Sequence, residues 1–67
     1  MTISEAKVAI SEGKKITHRY FQDNEFVYEK NGQIIGEDGF VHRTFWDSRI
    51  SEGWKDGWEL FNENKTV

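Results

Sequence analysis

EFVYEKNGQII, residues 25–35, decides the fold. Glu25 to Lys30 alternates, placing Phe26 and Tyr28 on one face of a strand and Val27 on the other. Asn31-Gly32 follows, the dipeptide that best tolerates positive φ at both central positions of a type I′ turn, so Gln33 to Ile35 is expected to return antiparallel. A β-hairpin therefore sits in the middle of the chain. What flanks it sets the class.

Upstream, Thr2 and Glu5 have the spacing of a capping box, and Ile3, Ala6, Ala9 or Ile10 recur at helical spacing. Gly13 is placed to end that helix in a left-handed conformation, which predicts a helix over residues 3–12 with Lys7, Ser11 and Glu12 outward. Lys14 to Arg19 holds two β-branched residues and reads as a strand with Ile16 and His18 on one face. Phe21 to Asn24 reads as a turn.

Downstream, Asp38-Gly39 reads as a second tight turn of the Asn31-Gly32 kind. Phe40 to Trp46 sets Val41, Arg43 and Phe45 against His42, Thr44 and Trp46, a strand pattern. Asp47 to Gly57 breaks the alternation, and Ser51-Glu52 can open a single helical turn there. Trp58 to Asn62 should be the closing strand, with Glu63 to Val67 polar and fraying. The expectation is one α+β domain over residues 1–67, an N-terminal helix on a four- or five-stranded antiparallel sheet. One short helix covers only part of one sheet face, leaving aromatics on the other as an oligomer interface or ligand platform.

With 67 residues the chain buries only about 60% of its unfolded surface, so it needs support beyond an ordinary core. It has no cysteine, which excludes disulfides and thiolate metal sites and fits a cytosolic setting. Two histidines, His18 and His42, are too few for a zinc site without carboxylate help. No metal or cofactor is expected. The N-terminal stretch MTISEAKVAISEGKK holds no apolar run long enough for a signal peptide or membrane span, so no membrane association is expected either. Oligomerisation or tight aromatic packing is left to supply the stability.

The net charge of −3 argues against a nucleic-acid partner, yet the positive charge is clustered. Lys14, Lys15, His18 and Arg19 form one group and His42, Arg43 and Arg49 another; the two clusters suit a small anion or are solvated surface charge. Aromatic residues make up 15% of the chain, serving as core or as stacking surface. Phe26, Tyr28, Phe45 and Trp58 read mainly as packing, whereas Tyr20, Phe21, Trp46 and Trp54 adjoin basic residues at turns or strand ends. There is no cysteine nucleophile, nucleophile elbow, P-loop or H-E-x-x-H motif, and no enzymatic activity is expected. His18 with Arg19 and Asp23 makes only a chance acid–base set; a hydrogen-bonded structural histidine is the competing reading.

In their order, these features resemble the small phage and prophage domain family typified by the second Thoeris anti-defence protein. The resemblance rests on the opening SEAKVAISEGKKI, on HRYF, on EFVYEKNGQII, and on Trp46, Ser51-Glu52 and Trp58 near the close. Phe21 stands where the family usually has tryptophan, Tyr20 replaces a small residue, Gly57 replaces an acidic one, and a mid-sheet insertion is missing. The resemblance implies a sponge: a phage-encoded protein of the host cytoplasm that sequesters a cyclic nucleotide-type immune signal without cleaving it. The ligand would lie in a pocket between subunits of a homo-oligomer. On that analogy Tyr20 and Phe21 stack, His18, Arg19 and Arg49 contact phosphate or ribose, and Trp46 or Trp54 closes the pocket. The alternative it implies is an inhibitor that binds a host defence protein directly, in the manner of an anti-CRISPR.

Overall fold

The computed structural model describes residues 1–61. Helix α1 spans Ile3–Ser11 and is closed at both ends by its own sequence. Thr2 Oγ1 accepts from Glu5 N at 3.2 Å while Glu5 Oε1 accepts from Thr2 N at 2.8 Å, the expected reciprocal cap. At the other end Gly13 adopts φ +87°, Gly13 N donates to Ile10 O at 3.1 Å and Lys14 N to Ala9 O at 3.2 Å. That pair of bonds is a Schellman motif, and it stops the helix one residue short of the expected 3–12. Ala6, Ala9 and Ile10 are buried, and the two alanines let the helix lie close on the sheet.

Four strands follow: β1 (Ile16–His18), β2 (Val27–Lys30), β3 (Gln33–Gly36) and β4 (Trp58–Leu60). They form one antiparallel sheet in the order β3-β2-β1-β4, so the α+β class and antiparallel sheet stand as expected. β1 and β2 are shorter than the alternation suggests and β3 runs one residue longer; the continuation to Asn62 and the fraying of Glu63 to Val67 lie outside the described residues. The hairpin closes through Asn31 at φ 54° and Gly32 at φ 77°, the left-handed pair a type I′ turn requires. β1 and β2 share a single register pair, Ile16 with Val27, and then splay; Thr17 Oγ1 bridges the gap to Glu25 O at 2.8 Å.

Two local expectations are corrected. In the Asp38-Gly39 turn only Gly39 has positive φ, +86°. Gly39 N donates to Gly36 O and Phe40 N to Asp38 Oδ1, so Glu37 and Asp38 make an ordinary turn with glycine following in the left-handed position. More consequentially, residues 40–46 are not a strand. Val41 makes one isolated bridge to Ile35, and residues 43–48 turn, with Ser48 N donating to Thr44 O at 3.1 Å. Consecutive strand side chains point to opposite faces. Here Phe45 and Trp46, with ring centroids 4.8 Å apart, both pack on Trp58. A strand cannot do that; a turn can.

The core lies between the sheet and a composite second layer of α1 and the 43–54 segment. Trp58 and Ile16 are fully buried, joined by Ala6, Ala9, Ile10, Val27 and Phe45, with Phe21, Trp46 and Trp54 packed against them. Phe45 and Trp58 therefore pack as expected. Phe26 and Tyr28 do not belong to that core: they lie on the opposite sheet face, half-buried, with Phe61 stacked on Phe26 at 4.5 Å and Lys15 Nζ 4.8 Å from the Phe26 ring. No helix among the described residues is long and apolar enough to cross a membrane.

Candidate functional site

The candidate residues divide between a closed latch and an open cleft. The latch is built on His18, which the alternation of β1 points inward beside Ile16. His18 is only 3% exposed and lies among the rings of Trp54 (4.4 Å), Trp58 (4.7 Å) and Tyr20 (4.8 Å). Its Nδ1 accepts from Tyr20 N at 3.1 Å, since a backbone N–H can only donate. The proton must then sit on Nε2, which donates to Asp56 O at 2.7 Å. Burial holds the imidazole below its ordinary pKa, opposed in part by the Asp56 carbonyl. Both nitrogens are thus committed within the chain, and His18 offers a ligand nothing polar.

The neighbours of His18 grip the same loop. Arg19 lies across Gly57, whose φ is +90°, and pairs with Asp56 at 3.0 Å on the surface. The Tyr20 ring rests on Gly53, where a Cβ would come within 2.5 Å of the hydroxyl. Trp58 Nε1 donates to Trp54 O at 2.7 Å. Phe21 packs on the core, between Phe45 and Trp58. So His18, Tyr20, Phe21 and Trp54 come together as an interlocked cluster rather than an open pocket. Gly53 and Gly57 are the residues that allow the close approach.

Trp46 and Arg49 open on a different surface. They line a cleft of about 260 Å³ with Lys7 from α1, Ile50, Ser51 and Lys55. Every charged residue lining it is a cation. Lys7 Nζ stands 5.3 Å from the Trp46 ring centroid. Arg49 is half-buried, its guanidinium 3.9 Å from the Phe45 ring centroid and 5.0 Å from that of Trp54. Its Nη1 donates to Phe45 O at 3.1 Å and Ser48 Oγ at 3.0 Å, while Nε is buried with no partner. Among the described residues Arg49 makes no ion pair, and burial holds its guanidinium below the ordinary arginine pKa.

Lys7, Ile50, Ser51 and Lys55 are not among the expected site residues. Lys7 shares a helix face with Ile3 by its four-residue spacing, and Ile3 N donates to Lys55 O at 2.8 Å, which brings the distant lysine alongside. Only the first of these signals is local. Among the described residues no group of three or more histidines and carboxylates converges as a metal site. No protein-family model, curated protein or solved structure matches the chain.

Proposed function

We propose that this domain binds and sequesters a nucleotide-type signalling molecule without cleaving it, acting as an anti-defence sponge in the host cytoplasm. The observation that carries the reading is the cleft that Trp46 lines together with Lys7, Arg49 and Lys55, with no carboxylate in its lining. An aromatic face suits a base and the cations suit phosphate, a division of labour common to nucleotide-binding surfaces. The resemblance to the Thoeris anti-defence family supports the same ligand class.

Size argues for a shared pocket. Small-molecule sites commonly measure about 300–1,000 Å³. A cleft of about 260 Å³ lies below that range, so a cyclic dinucleotide-sized ligand needs a second wall. A second copy of the chain supplies it most simply, in keeping with a homo-oligomer. Calorimetric titration with cyclic dinucleotides, cyclic trinucleotides and cyclic ADP-ribose isomers tests the reading. Binding by at least one, with the ligand recovered chemically unchanged after heating the complex, is the expected result; no heat from any of them, with a folded sample, removes it.

A direct protein-binding inhibitor is the second reading. It is favoured by Phe40 and Val41, consecutive apolar residues that stay 70% and 41% exposed beyond β3. Stable capture of a host defence protein, lost on Phe40→Ser and kept on Trp46→Ala, would select it.

A further inference from the structure

The geometry points to a dedicated phosphate position at Arg49 and Ser51, flanked by Lys7 and Lys55, that binds inorganic phosphate or pyrophosphate by itself. This rests on the same cleft as the sequestration reading and specifies how that cleft recognises its ligand. Three observations converge on it.

Arg49 is held ready. Its guanidinium lies over Phe45, and Nη1 is tied to Phe45 O and Ser48 Oγ, so the plane of the fork is fixed before any ligand arrives. Ordering a long side chain is one of the main entropic costs of binding, and here the fold has already met it. Nη2 makes no hydrogen bond among the described residues, which leaves its two donors free.

Arg49 is also uncompensated. It is half-buried, its Nε has no partner, and Glu25 acts on it only at longer range. A desolvated cation without a carboxylate is costly, and an anion in the cleft removes that cost. Arg19 makes the contrast: it already has Asp56 at 3.0 Å, and the recess beside it includes Asp23 and Glu59.

The remaining lining supplies the rest of a phosphate site. The Ser51 hydroxyl makes no capping bond to the short 3₁₀ turn Glu52–Trp54 that follows it, so it is available to donate. Lys55 meets Glu52 at 3.2 Å, but that pair is well exposed and holds the lysine weakly. Lys7 over Trp46 marks where charge and ring recognition meet. The ligand class is therefore a phosphate or phosphate ester placed with its oxygens on the Arg49 fork and its organic part toward Trp46.

Calorimetric titration of pyrophosphate and orthophosphate into the wild type, Arg49→Lys, the double variant Lys7→Gln/Lys55→Gln and the distant Lys14→Gln provides the test. Lysine keeps the charge and loses the planar fork, so Arg49→Lys should weaken pyrophosphate binding roughly tenfold or more. The double variant changes only exposed side chains and should weaken it several-fold with the fold intact; Lys14→Gln should leave it unchanged. Equal affinity in wild type and Arg49→Lys, or an equal loss in Lys14→Gln, overturns the proposal in favour of diffuse surface charge. If Arg49→Lys does not fold, an unaltered affinity in the double variant overturns it instead. Pyrophosphate binding that needs Arg49 while no nucleotide binds sustains this site and defeats sequestration. A nucleotide that binds equally well to Arg49→Lys does the reverse.

Discussion

At the scale of single residues, His18 does most to join sequence-distant parts of the chain, because one imidazole satisfies Tyr20 N and Asp56 O from opposite sides. Replacing it with alanine strands both groups and opens a cavity among aromatic rings, and should cost about 2–4 kcal/mol, read from urea unfolding followed by tryptophan emission. The same ring gives a pH dependence with a definite sign. Its folded pKa lies below the ordinary 6.5, so below that pH the unfolded chain takes up the proton first. His18's contribution is therefore complete above 6.5 and falls as pH drops toward and through the lower folded value. Comparing urea midpoints at about pH 7.5 and 5.5 should show a loss in the wild type that is smaller in His18→Gln. Gly57 is the other sensitive position: at φ +90° and under the Arg19 side chain, Gly57→Ala should cost about 1–3 kcal/mol in the same assay.

At the scale of elements, what the sequence discloses is what neighbouring residues decide. The capping box, the Gly13 stop and the Asn31-Gly32 turn each act over a few residues, and each is found where it was expected. Thr2→Ala should accordingly cost about 1 kcal/mol by thermal unfolding. Residues 40–46 were misleading because their alternation is real but irrelevant: the pull of Trp58 on both Phe45 and Trp46 outweighs it. Strand propensity yields there to burial of two large rings on one side. The cleft was half legible. Trp46 and Arg49 are close in sequence and their pairing was visible, whereas Lys7 and Lys55 join them only because α1 docks its first turn against the loop before β4.

For the whole molecule, the chain closes on itself between its first residue and its last described strand. Met1 N donates to Trp58 O at 2.7 Å and Trp58 N returns a bond to Met1 O at 3.2 Å, so part of the outer edge of β4 is covered. The opposite sheet face keeps Phe26, Tyr28 and Phe61 half-buried. If two copies share one ligand, titration should give one molecule per two chains, and Trp46→Ala should weaken binding about tenfold or more while the helix signal in circular dichroism persists.

Three tryptophans arranged around one another also make the protein its own optical gauge. Trp58 stands 5.3 Å from Trp46 and 5.7 Å from Trp54, close enough for the indoles to exchange excitation and behave as one coupled chromophore. That chromophore reaches from the buried imidazole, 4.4 Å from Trp54, to the cleft wall at Trp46. A proton arriving at one end and a ligand arriving at the other should each dim or shift the same emission, with no label attached.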